Sequence, residues 1–218
     1  MTKTRYSKSE DIQARILDAA EDLFAKQGYE ATSTRQITAQ ADVRNASINY
    51  YFATKRELAV AVVDRRFDVL QKARSAALND VDIGAANPNA LSGIVSAFVV
   101  PLAELTKTHP PGWQNYNRIM AQVAASGEWL QEDYVHKINK TAEQFVNALA
   151  TAFPTATPAS ARRAYTYMLG SVLFAFSQAG KTLDQTSSPP KQTDHGKDPD
   201  ALITFLTAGL TAILDHDP

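Results

Sequence analysis

Cysteine is absent from the 218 residues, so disulfides and thiolate zinc sites are excluded and a reducing compartment is natural. Histidine is scarce: of His109, His136, His195 and His216 no pair has metal-ligand spacing. No Gly-rich phosphate loop follows a strand. No uncharged apolar run reaches the ~18 residues a membrane span needs. The start of the chain, MTKTRYSKSEDIQ, carries charge but no apolar centre, which is not the pattern of a signal peptide. An excess of charge is missing too. The net charge is −1, with 11 Lys/Arg against 9 Asp/Glu in residues 1–66 and 11 against 14 in the remainder. Any nucleic-acid contact must therefore come from local placement rather than bulk attraction. A hydrophobic content of 44% is too high for a disordered chain. The expectation is a cytoplasmic protein of one large or two small domains.

What is present is helical periodicity, and almost nothing alternates as a strand would. A first helix is expected after Ser9, with Ile12, Ile16, Ala19, Ala20, Leu23 and Phe24 along one stripe and Gly28 at its end. Short helices follow at about 33–41 and 45–51. Thr54 can cap a fourth, about 55–78, with Leu58, Val62, Phe67 and Leu70 inward. Further helices are expected at about 88–107, 112–125, 128–152, 158–182 and 199–214, which makes about nine. Pro101 sits inside one of them and predicts a kink or break. The polar, Pro-rich run DQTSSPPKQTDHGKDP reads as a loop.

The spacing of the second and third helices is the most informative feature. Asp42, Val43 and Arg44 alone separate them, which is helix-turn-helix spacing. Ile37, Val43 and Ile48 can meet Ile16 and Phe24 in a small core. The third helix then shows solvent a strip of Asn45, Ser47, Asn49 and Tyr50. Such a helix can enter the ~12 Å major groove of DNA and read base edges. Asn suits adenine, and Arg35 or Arg44 suits guanine. Ser47 can bond bases or phosphate. Tyr50 and Tyr51 can place hydroxyls on phosphates, and Lys55, at the start of the fourth helix, can hold another.

The stretch ARILDAAEDLFAKQGYEATSTRQITAQADVRNASINYYFATKREL resembles the DNA-binding domain of TetR-family transcriptional regulators over about residues 12–60 without a gap. The paired small helices, the YYF ending and the Lys55–Leu58 spacing all stand in order. The resemblance implies an all-α fold: an N-terminal three-helix helix-turn-helix DNA-binding domain plus a C-terminal helical bundle for ligand binding and dimerisation. The boundaries are 1–54 (helix-turn-helix about 33–52) and 55–218, with helix 55–78 as connector. It places DNA contacts at Thr34, Arg35, Arg44, Asn45, Ala46, Ser47, Asn49, Tyr50, Tyr51 and Lys55. Three positions depart from the family pattern. Asp42 stands where Gly is usual, in a turn that Asp tolerates. Thr38 replaces an Ala, which predicts a looser contact between the helices. Asn49 replaces a Tyr and alters that DNA contact.

The later helices are apolar around much of their circumference, YTYMLGSVLFAFSQAG and ALITFLTAGLTAIL. Such helices need neighbours on most sides, and a partner subunit supplies them. The resemblance implies a homodimer through a four-helix bundle, with Leu169, Leu173, Phe205, Leu206, Leu210 and Ile213 as candidates. Two reading helices roughly 34–36 Å apart then match a palindromic operator on double-stranded DNA. The resemblance also implies a cavity for a small-molecule effector, with Phe98, Trp113, Tyr116, Met120, Tyr134, Tyr165, Met168 and Phe176 as candidate lining. These side chains suit a largely apolar or aromatic ligand; only Arg118, Arg162 and Arg163 are expected to be near enough to neutralise charge. No metal, cofactor or membrane is expected, and no catalytic constellation stands out; DHGKD at 194–198 is at most a loose metal site. The expected function is a repressor released by its ligand. The alternative is a helical small-molecule-binding dimer without specific DNA recognition.

Overall fold

The computed structural model describes residues 8–109, 112–126, 132–177 and 199–215. DHGKD, His195 and His216 lie outside them, as do the side chains of Tyr134 and His136. The described residues form nine helices: α1 (Lys8–Gln27), α2 (Thr34–Ala41), α3 (Ala46–Tyr51), α4 (Lys55–Asn79), α5 (Ala90–Thr108), α6 (Gly112–Ser126), α7 (Glu132–Ala152), α8 (Pro158–Phe176) and α9 (Pro199–Asp215). The all-helical expectation holds among them.

Capping sets several starts. Ser33 accepts from the Gln36 amide while Gln36 Oε1 accepts from the Ser33 amide, a reciprocal box that fixes the first turn of α2. Thr54 caps α4 in a related way: Thr54 Oγ1 accepts from Glu57 N, and Glu57 Oε2 accepts from the amide of Ala53, one residue before the cap. Thr157 caps α8, with Pro158 in its first turn. Gly28, at φ +86°, ends α1 in a conformation that L side chains rarely adopt.

Two expectations about helix shape change. α5 runs through Pro101 without a break. Leu91, Ile94, Val95 and Phe98 before it and Leu102 and Ala103 after it are all buried, so packing against α4 and α9 outweighs the one missing hydrogen bond. α5 is also long and apolar enough to cross a membrane, the sole helix to be so among the described residues, and it lies at the centre of the core. α8 ends at Phe176, short of 182, where Ser177 turns to extended backbone.

One apolar core runs from end to end. Ile16, Ala20, Phe24, Ile37, Ile48, Phe52 and Leu58 hold the first four helices together, and the same cluster continues through Val62, Phe67 and Leu70 to α5–α9. α1 packs against α2 and α3 but also against α4 and α6, so the three-helix head rests directly on the larger bundle.

Candidate nucleic-acid interface and cavity

α3 has six residues, too few to stand alone as a helix in water. It is held by Ile48, 2% exposed, and by Phe52, whose amide donates to the Ile48 carbonyl at 2.7 Å. Everything around that anchor faces out. Thr34, Arg35, Arg44, Asn45, Ala46 and Asn49 are exposed, and Ser47, Tyr51 and Lys55 are partly so. Tyr50 is 80% exposed, with its ring edge-on to Tyr51 at 4.9 Å. Tyr51 packs partly against the core, and so wet a ring as that of Tyr50 contributes little to folding and can meet an external partner. All ten expected DNA-contact residues are thus at least partly exposed.

Lys55 lies at the first position of α4, its ammonium 4.1 Å from the centre of the Tyr29 ring. Burial beside that ring lowers its pKa, against the pull of Glu30. The ring fixes the lysine at a helix N-terminus, where a phosphate is favoured.

The turn between α2 and α3 depends on Asp42, in the left-handed region at φ 52°, ψ 52°. Arg15 of α1 donates to the Asp42 carbonyl at 2.8 Å and to its carboxylate at 3.2 Å. The carboxylate is almost wholly solvated, so that ion pair is weak. Asp42→Gly relieves the left-handed strain, keeps the carbonyl bond and is expected to raise stability by about 0.5–1 kcal/mol, measured as a higher melting temperature. A lower one would show that the Arg15–Asp42 carboxylate pair holds the turn.

Thr38 was expected to loosen the α2–α3 contact, and the geometry reverses that. Its buried hydroxyl lies 2.7 Å from Asn45 Oδ1 and 3.1 Å from the Arg35 carbonyl, tying the two helices at the edge of the exposed strip.

Behind the head, Glu21 of α1 is buried and takes two arginines from α4. Arg65 donates to it at 2.7 Å; Arg66 donates through Nε at 3.1 Å and Nη2 at 2.9 Å. The Arg66 guanidinium also lies over Trp113 and against Gly112, at the start of α6. Trp113, an expected ligand contact, is therefore packed into this joint.

About two turns further along α4, a cavity of about 160 Å³ opens between α4, α6, α7 and α8. Tyr116, Met120 and Tyr165 line it as expected. Phe98, Met168 and Phe176 are buried but do not line it; Phe98 packs edge-on against Phe145 and Tyr165 as core. Leu169 and Leu173, expected at a dimer interface, face this cavity, because they follow Tyr165 at one- and two-turn spacing. Gln71 and Arg74 were not anticipated. Arg74 is 5% exposed; its Nε donates to the Phe98 carbonyl at 2.9 Å and its guanidinium lies 3.6 Å over the Phe98 ring. Burial lowers its pKa to about 10, which still leaves it charged at neutral pH. Burial likewise raises the Tyr116 and Tyr165 hydroxyls, so both stay neutral donors.

α8 and α9 leave an apolar groove on the outside. Phe205 and Tyr167 are more than half exposed there, Ile213 borders it, and Phe174 is half exposed further along α8. Leu206 and Leu210 reach its floor but are buried within the chain, so they hold α9 in place rather than present a free face.

Two family models match the chain: "Bacterial regulatory proteins, tetR family" over residues 16–62 and "Tetracyclin repressor-like, C-terminal domain" over residues 96–209. An HTH-type transcriptional repressor of Mycobacterium tuberculosis is 46% identical over 55 residues, which is 25% of this chain and 29% of that protein. An HTH-type regulator of Lactococcus lactis is 32% identical over 95 residues, 44% of this chain and 40% of that one. The matches thus span well under half the length of these curated relatives. Among solved structures, a TetR-like regulator from Rhodococcus superposes with a TM-score of 0.64 at 14% identity, covering 98% of this chain and 100% of that one. AibR, in complex with isovaleryl coenzyme A and operator DNA, gives 0.61 at 17%, covering 90% and 98%. Mycobacterium smegmatis AmtR gives 0.58 at 18%, covering 99% and 90%. With the second family model matching more than half of its length and the first matching its helix-turn-helix, the chain belongs to the TetR family of transcriptional regulators.

Proposed function

We propose that this protein is a dimeric repressor that binds a palindromic operator through α3 and releases it on binding a small molecule in the α4–α8 cavity. The observation that carries the reading is the two-sidedness of α3: Ile48 is sealed in the core while Asn49 and Tyr50 stand in water. The short helix spends its one apolar anchor on holding a polar face outward, which is what insertion into the major groove needs. Dimerisation through a second copy across the α8–α9 groove accounts for the exposed Tyr167, Phe174 and Phe205. AibR, of similar fold, has been solved with an acyl coenzyme A and operator DNA together, so this architecture can hold both ligands. A cytoplasmic location follows from that role.

The mechanism is linkage. α4 carries Arg65 and Arg66, which grip α1, and Gln71 and Arg74, which border the cavity. A helix of 1.5 Å rise per residue puts these two sets about 12 Å apart on one rigid rod. A ligand that prefers one tilt of α4 shifts the head, and the spacing of the two heads, with it. Sequencing the genomic DNA cross-linked to the protein tests the reading. An inverted repeat with half-sites one or more DNA turns apart is the expected result. Absence of any enriched sequence favours a helical small-molecule-binding dimer without specific DNA recognition.

A further inference from the structure

Arg74 is a buried cation without an anion. The acidic residues nearest to it on α4, Asp64 and Asp68, are both engaged by Lys137 of α7. Among the described residues no carboxylate pairs with Arg74, and the groups that interact with its charge are the hydroxyls of Tyr116 and Tyr165. Its Nε is taken by the Phe98 carbonyl and its face by the Phe98 ring. Those contacts fix the plane of the guanidinium but occupy one of five N–H donors. The four on its two Nη atoms form the fork that suits a carboxylate. A second group in the same wall is also unsatisfied: Gln71 Oε1, three residues earlier on α4, is buried with no hydrogen-bond partner. A buried charge and a buried amide left open on one cavity are costly to a fold with nothing to gain from them.

From this geometry we infer that the effector is a small organic acid, its carboxylate seated on Arg74 and its apolar body among Phe67, Met120, Val123 and Leu169. This rests on the reading of the cavity as the effector site. One guanidinium neutralises one negative charge, so a monoanion fits and a phosphate dianion leaves a charge stranded in an apolar wall. Size narrows the class. A dry cavity of ~150 Å³ accepts one benzene ring, and this one is about 160 Å³, so the body is of about one ring or a short branched chain. A hydroxyl or amide N–H next to the carboxylate would in addition satisfy Gln71.

Calorimetric titration of the full chain with phenylacetate, hexanoate and mandelate, each beside its neutral amide, is the test. At least one acid is expected to bind at least tenfold more tightly than its amide. Arg74→Met is expected to remove that preference, and Arg74→Lys to restore part of it. Arg74→Met is also expected to melt no lower than the wild type, because it deletes an unpaired buried charge and keeps the length of the side chain. Amides that bind as tightly as the acids, or no acid binding at all, overturn the inference. So does a melting temperature that falls in Arg74→Met while acid binding persists, which makes Arg74 a structural prop for Phe98. The same acids are then added to the protein bound to its operator. Acids that bind through Arg74 without weakening DNA binding leave the anion site standing and remove the effector reading. A neutral molecule that releases DNA equally well from Arg74→Met does the reverse.

Discussion

Ile48→Ala is expected to cost about 2–5 kcal/mol and to abolish operator binding at temperatures where the larger bundle is still folded. Ile48 is the one buried residue of α3. It belongs to the same buried cluster as Ile16 and Phe24 of α1 and Ile37 of α2, all nearly inaccessible to solvent. A six-residue helix has no propensity reserve, so losing three carbons beneath it frees it from the head. Phe52, bonded to the Ile48 carbonyl, loosens with it. Hydrogen exchange followed by mass spectrometry is the measurement. The amides of 45–52 should exchange quickly in the variant, while those of α5 and α8 keep their protection. Uniform loss of protection along the chain would mean that the head and the bundle unfold together.

Glu21→Ala is expected to destabilise the protein by about 2 kcal/mol and to disconnect operator binding from the effector. Removing one partner from a fully buried ion pair costs roughly 3–5 kcal/mol. Here Arg65 and Arg66 each keep about a quarter of their side-chain surface in water, so the cost is smaller. The second consequence is specific to this joint. Glu21 is where α1 meets two consecutive arginines of α4, and Arg66 in turn touches Trp113 and Gly112 of α6. Two of the helices that border the cavity, α4 and α6, therefore meet the head at this carboxylate. Glu21→Gln keeps the acceptor and drops the charge, and it should retain most of the stability. DNA titrations with and without a cavity ligand give the readout: the ratio of the two affinities should fall toward one in Glu21→Ala. An unchanged ratio would place the coupling elsewhere, with the contacts of α1 and α6 as the next place to look.

The helix-turn-helix was legible in the sequence from its spacing together with the resemblance of residues 12–60 to the TetR-family DNA-binding domain. A three-residue turn, an apolar residue under each short helix and a Gly at the end of α1 leave few ways to fold. The Thr54 cap of α4 was legible too; the Ser33–Gln36 box was not read, although it carries the same signal, a hydroxyl followed three places later by a side-chain acceptor. The cavity was less legible. Aromatic residues at helical spacing do not reveal which of them line a void, and Phe98 and Trp113 turn out to be packed. Arg74 was not among the expected lining residues, because only apolar and aromatic side chains were considered for the cavity wall. Its register held the signal, since Phe67, Leu70 and Arg74 fall on one stripe of α4, and a cation on an apolar stripe is a buried cation. The outer face of α8 was hidden for the converse reason. Apolar residues on every side cannot say which side meets the rest of the chain; Leu169 and Leu173 turn inward while Tyr167 and Phe174 stay exposed.

The most direct test titrates a palindromic site recovered from the genome, and a scrambled copy of it, with wild type and with an Asn49→Ala, Tyr50→Ala double variant. Both side chains are exposed, so the variant should melt within about 0.5 kcal/mol of wild type. It should lose about 1–3 kcal/mol of discrimination between the two DNAs, a factor of about 5 to 150. A variant that still prefers the palindrome as strongly as wild type would contradict the claim that the outward face of α3 reads DNA.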